Sequence, residues 1–192
     1  TLMTPFFNPG PIDNPDIPIF VAGVNTGLCQ LAGEIADGFI VHPYHSAHYL
    51  REVIRPAIEK GASRSGREAT DITLSTSVMT ITCPEEKASV QSQIAFYAST
   101  PSYRPVMAHH GWGEVADQLQ SLSRKKAWGE MSSLINDEML DTFTISTPPD
   151  MLANALLQRY QGVVDRLSLY KPYFPGEQDD YWKEVSKTLH KN

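Results

Sequence analysis

Cysteine is scarce: Cys29 and Cys83 are the only two in 192 residues. They form no C-x-x-C pair, which excludes a zinc ribbon and a dithiol redox motif, and two lone thiols are no disulfide framework. Long apolar runs are missing as well. No stretch approaches the ~20 residues that cross a bilayer, and nothing at the front reads as a signal peptide. No membrane partner is therefore expected, and a cytoplasmic location is. Basic runs are short: the densest clusters are Arg64/Arg67 and Arg124 to Lys126, in a chain of net charge −6. A nucleic-acid binder carries a basic stripe, so no nucleic-acid partner is expected. There is no internal repeat and no low-complexity tract. What remains is ordinary for a folded domain, with 41% hydrophobic and 20% charged residues, a balance that excludes disorder.

Proline is abundant at one end. Thr4 to Pro18 holds Pro5, Pro9, Pro11, Pro15 and Pro18, so this stretch is expected to be irregular or extended. The chain opens Thr1-Leu2-Met3 rather than on an initiator Met. It reads as a loop inside a larger parent.

Beyond that segment, strands and helices alternate. Ile19 to Gly23 and Phe39 to His42 are short apolar runs that suit strands buried on both faces. Leu28, Leu31, Ala32 and Ile35 recur at helical spacing, and Asp37-Gly38 ends that helix. Ser46 is a candidate N-cap for a helix to about Ser63, with a kink or break expected at Pro56. Asp71 to Thr82 reads as a third strand. Pro84-Glu85-Glu86 opens a helix to about Ala98. A helical insertion covers about 99–142, Thr144 to Ser146 is a short extended piece, and Thr147 to Asp150 caps a helix to about Tyr160. Val164 to Tyr170 is the last strand. A polar tail follows over about 172–192, with a short helix from about Asp180. Alternation of this kind implies an α/β protein with a parallel sheet, either open and doubly wound or part of a barrel.

Specific segments point to the barrel. The run Pro18-Ile19-Phe20-Val21-Ala22-Gly23-Val24-Asn25, then Leu31 to Pro43 with its Ala36-Asp37-Gly38 turn, resembles the middle of the luciferase-like monooxygenase superfamily. The version here is most similar to the branch that depends on the deazaflavin coenzyme F-420 (F420). Ala98 to Val106, His110-Gly111-Trp112-Gly113, Asp137 to Asp141 and Asp165 to Tyr170 resemble segments of the same branch. The resemblance implies a parallel (β/α) barrel of TIM type, represented by its C-terminal half, about strands five to eight. Residues 1–192 then form one partial domain, with the helical insertion before the last strand. It further implies an oxidoreductase that transfers hydride between F420 and an unknown small organic substrate, or, with FMN as the alternative cofactor, a monooxygenase.

Barrel ligands sit at the C-terminal ends of strands, which selects three places. At Ala22, Gly23, Val24, Asn25, Thr26 and Gly27, small residues and the following helix N-terminus suit a cofactor phosphate; a tight turn needing Gly for shape alone is the other reading. At His42-Pro43-Tyr44, His42 can hydrogen-bond a cofactor ring or phosphate. It is the first candidate acid or base, and His110 is the second. The spacing of His42, His45 and His48 invites a metal reading, but strand and helix carry them apart and no metal is expected. At the end of the third strand, Thr76 to Thr82, Ser and Thr side chains can face a ligand; ordinary β-propensity is the other reading and the commoner one. In the insertion, Arg104 can pair with an anionic cofactor tail, while Asp137, Glu138 and Asp141 read as a solvated face. A reading of another class also stands: a half-barrel exposes sheet edges and an apolar face. It can act as an inactive module that pairs with a missing N-terminal half or with itself as a homo-oligomer.

Overall fold

The computed structural model describes residues 10, 11 and 13–190. The Pro-rich segment falls partly outside these, and from 13 to 19 it carries no helix or strand. The chain then runs β1 (Phe20–Gly23), α1 (Thr26–Ile35), β2 (Gly38–Val41), α2 (Ala47–Tyr49), α3 (Arg55–Arg64), β3 (Thr73–Ile81), α4 (Lys87–Ala98), α5 (Arg104–His109), α6 (Gly113–Arg124), α7 (Trp128–Met131), α8 (Asp137–Phe143), β4 (Thr144–Ser146), α9 (Leu152–Tyr160), β5 (Arg166–Leu169) and α10 (Asp179–His190).

All strand pairs are parallel. Gly23 lies opposite Val41, Val41 opposite Thr76, and Thr76 opposite Leu167. Hence β1, β2, β3 and β5 are four consecutive staves of one sheet, and their C-terminal ends share one edge. The short extended piece at 144–146 is a real strand. It pairs with Met79 to Ile81, the far end of β3. Val78 O accepts from Tyr170 N on the β5 side, whereas Ile81 O accepts from Thr147 N. Residues three apart present opposite edges of a strand, so β4 prolongs the β2 side of β3 above the loop that leaves β2.

The sheet is covered on one face. Phe39, Val41, Leu74 and Val78 are buried against Cys29, Ala32, Leu50, Ile54 and Ile58 of the helical layer. On the other face Ala22, Ile40 and Ser168 are exposed, Ile40 at 44%. Strands expected to be buried on both faces are therefore buried on one. Their other face is what a complete barrel turns inward. Arg166 lies over the Phe20 ring there, and Ser77 Oγ and Ser168 Oγ are 2.6 Å apart.

Close helix packing sets the outer layer. A Cβ on Gly61 would meet Gln30 O at 1.9 Å, and one on Gly33 would meet Ile58 O at 2.1 Å. Only glycine lets α1 and α3 approach this far. The kink expected at Pro56 takes the form of a π turn at Leu50–Ile54, between α2 and α3. Pro56 cannot donate and its ring crowds the carbonyl four residues back; the wider turn relieves both. No helix among the described residues is long and apolar enough to cross a membrane.

Candidate functional site at the strand ends

The site is built where β1, β2, β3 and β5 end. Asn25 caps α1: its backbone is extended, and its Oδ1 accepts from Leu28 N at 2.9 Å. Asn25 O takes Cys29 N. The N–H groups of Thr26 and Gly27 are left with no acceptor among the described residues, both residues are exposed, and the first turn of α1 carries no acid. Two free donors at the positive end of a ten-residue helix are the kind of group that can receive an anion. Gly23 has a packing reason of its own, since a Cβ there would meet Leu28 Cδ1 at 2.6 Å. Gly27 is different, because a Cβ there meets nothing closer than Asn25 Oδ1 at 3.3 Å.

Next door, His42 leaves β2 one residue after Val41, the partner of Gly23. Its Nδ1 accepts from Tyr44 N at 3.1 Å. In the neutral ring that places the proton on Nε2, which has no partner among the described residues. Burial pushes the His42 pKa down, so the ring is a neutral donor at pH 7. It stands edge-on to Tyr97, with centroids 4.6 Å apart, and leans on Tyr103 at 4.7 Å. Tyr44 lies behind them against Phe143 at 4.9 Å. Its buried hydroxyl has no partner among the described residues, and burial drives its pKa up.

The β3 and β5 ends are tied together. Tyr97 and Tyr170 hydroxyls are 2.7 Å apart; burial and this bond raise the Tyr97 pKa to about 12. Glu86 accepts from Thr82 N at 2.7 Å and from Lys171 Nζ. Burial raises the Glu86 carboxyl, but Lys171 and Thr82 outweigh it and hold it below the usual carboxylate range. Lys171 is thereby neutralised in place.

The chain as a whole has known relatives. The luciferase-like monooxygenase family model matches residues 1–166. The chain belongs to that family. An uncharacterised protein of Mycobacterium tuberculosis is 41% identical over 172 residues, covering 86% of this chain and 51% of that protein. The 5,10-methylenetetrahydromethanopterin reductase of Archaeoglobus fulgidus is 30% identical over 152 residues, covering 75% of this chain and 43% of the reductase. The solved coenzyme F420-dependent tetrahydromethanopterin reductase of Methanopyrus kandleri superposes with a TM-score of 0.66 at 21% identity, over 91% of this chain and 50% of that one. The chain thus spans about half the length of the curated relatives it matches, and its four staves are half of a TIM-type barrel.

Within this luciferase-like half-barrel, the expected site residues separate into groups. Ala22 to Gly27 and His42-Pro43 lie together on adjacent strand ends. His110 lies to one side. Its Nε2 is 2.8 Å from Ser46 Oγ, its ring stacks on Trp112, and burial, with His109 and His48 nearby, lowers its pKa to about 4. It is neutral at pH 7 and already hydrogen-bonded. Arg104 is committed elsewhere: Nε and Nη2 bind both oxygens of Asp117 at 2.7 and 2.8 Å, joining α5 to α6. Asp137, Glu138 and Asp141 are exposed, as expected, and Asp137 pairs with Lys87. His42, His45 and His48 do not converge. His45 is buried, with Nδ1 3.1 Å from the carbonyls of His42 and Pro43.

Sequence reasoning did not single out Tyr170, Lys171 or Glu86. The available signal was position: Tyr170 and Lys171 follow the last strand, where the same barrel rule applies. A cavity of about 680 Å³ is lined by Gly162, Asp165 and Arg166 among others. It opens at the N-terminal end of β5, opposite the strand ends that form the site.

Proposed function

We propose that this chain is the C-terminal half of a barrel oxidoreductase that uses coenzyme F420. The observation that carries the reading is the juxtaposition, on neighbouring strand ends, of the free Thr26 and Gly27 amides with the free Nε2–H of His42. Anion cradle and neutral donor together suit a phosphate-bearing cofactor with a polar ring. The open position at Gly27 admits a phosphate oxygen close to the backbone. F420 dependence is what the named tetrahydromethanopterin reductase relatives add.

When bound, the deazaflavin exchanges a hydride with its substrate at ring carbon C5. This chain supplies orientation and electrostatics. Thr26 and Gly27 hold the phosphate. His42 donates from Nε2 to an acceptor on the ring and keeps its tautomer through Tyr44 N. Tyr97, Tyr103 and Tyr170 wall the site and exclude water on the α4 side. The face carrying Ala22, Ile40 and Ser168 closes against the other four staves of the barrel, and a small organic substrate enters at the shared mouth.

The test is a fluorescence titration of the protein at its full length with F420 and with FMN. Saturable F420 binding at least ~10-fold tighter than FMN, a gap of about 1.4 kcal/mol, is expected. Preference for FMN moves the reading to a flavin monooxygenase. Binding of neither defeats the cofactor assignment.

A further inference from the structure

Away from the strand ends, two distant parts of the chain bring metal-ligating groups together. His48 lies on α2, Glu52 on the π turn that follows, and His109 at the end of α5. His48 Nδ1 and His109 Nε2 are 2.7 Å apart, and His48 Nε2 is 3.3 Å from Glu52 Oε1. One donor atom from each of the three lies within 4.8 Å of the others. It is the one such cluster of three among the described residues.

We propose that His48, Glu52 and His109 form a site for a divalent transition cation, of which Zn²⁺ is the best fit. Two imidazoles and one carboxylate are the donor set that borderline cations select over Mg²⁺ or Ca²⁺, which prefer oxygen alone. Two nitrogens bound tetrahedrally at ~2.0–2.1 Å stand roughly 3.3 Å apart. With His48 binding through Nδ1, the rings part by about half an ångström and the Glu52 carboxylate, which faces Nε2, swings to the Nδ1 edge, adjustments open to side chains at the surface, where His48 and Glu52 are both exposed. Among the described residues, no lysine or arginine is paired with these donors. Arg51 donates to Arg159 O, and Arg159 donates Nη1 to Asp141 O and Thr144 O.

The position gives the ion a task. α5 belongs to the insertion, whereas α2 follows the loop that carries His42. His109 adjoins His110, which bonds Ser46, the N-cap of α2. A bound cation clamps the insertion onto the wall of the strand-end site through α2. The site stands on its own geometry, whatever cofactor the barrel uses.

Tag-free protein, stripped with chelator, is titrated with Zn²⁺ by isothermal calorimetry. One equivalent with a dissociation constant in the low micromolar range is expected. His48→Ala and His109→Ala each weaken it at least ~10-fold, Glu52→Gln weakens it less, and His190→Ala leaves it unchanged. Zinc-edge X-ray absorption reports the two imidazoles independently of any variant. Should either alanine variant fail to fold by circular dichroism, His109→Gln replaces it, with the same expected loss. No saturation below ~100 μM, or variants that bind as the parent does, overturns the site.

Discussion

His42 offers the sharpest perturbation, because its two nitrogens do different things. Nδ1 accepts from Tyr44 N, and Nε2–H is free at the mouth. Asparagine places a carbonyl oxygen near Nδ1 and has nothing at the Nε2 position. Glutamine reaches the Nε2 position with an amide donor and abandons the Nδ1 acceptor. His42→Asn therefore keeps the loop and loses the ligand contact. A hydrogen bond is worth about 0.5–1.5 kcal/mol to a neutral partner and about 1.5–3 kcal/mol to a charged one. F420 binding by His42→Asn falls roughly 3-fold to 100-fold accordingly, with little change in the urea midpoint. His42→Gln shows the converse: binding within a few-fold of the parent, but stability lower by about 1–3 kcal/mol, because the Tyr44 N–H loses its acceptor. Fluorescence titration and urea unfolding of both variants read the two effects separately. Asparagine binding as tightly as histidine while glutamine fails refutes the donor role.

Other consequences follow from particular contacts. Thr26→Pro removes one donor from the cradle at the first helical position, where proline is tolerated, and Asn25 already has the extended backbone proline requires; F420 affinity drops about 10-fold or more with the thermal midpoint held. Gly61→Ala gains about 1 kcal/mol of helix propensity, but its Cβ meets the Gln30 carbonyl at 1.9 Å. Overpacking against backbone costs about 3 kcal/mol or more, so the thermal midpoint falls by roughly 4–8 °C; an unchanged midpoint contradicts the close approach of α1 and α3. Burial lowers the folded-state pKa of His45 to about 4, below its ordinary ~6.5. The stability held by the neutral ring is complete above pH 6.5 and is lost as pH falls toward 4, on the order of 3 kcal/mol in all. Urea titrations across that window show the decline, and His45→Gln removes one proton's worth of its slope.

Much of the fold was readable because its signals are local. Apolar runs at Phe20 to Gly23 and Phe39 to Val41 and Ser46 as an N-cap need only their neighbours to be understood, and the insertion lay where its helical pattern placed it. The strand ends were readable through the barrel rule, which marked Thr26, Gly27 and His42 without any contact being known. What escaped depends on pairs far apart in sequence. Nothing near Arg104 announces Asp117 as its partner, and nothing near Glu86 announces Lys171. His48 was weighed with His42 and His45, its neighbours along the chain, whereas the fold turns it toward His109. The one-sided burial of Ile40 was likewise hidden, because a half-barrel strand and a fully covered strand have the same apolar composition.

A phosphate held by the Thr26 and Gly27 amides beside the His42 donor is the central element of the proposed site. Backbone amide NMR of the ¹⁵N-labelled protein, recorded while F420 is added, tests it most directly. The Thr26 and Gly27 amide resonances are expected to move downfield together with the His42 Nε2–H, with a shared saturation curve, while Asp117 and Gly162 stay in place. Saturable binding that leaves Thr26, Gly27 and His42 unmoved contradicts it.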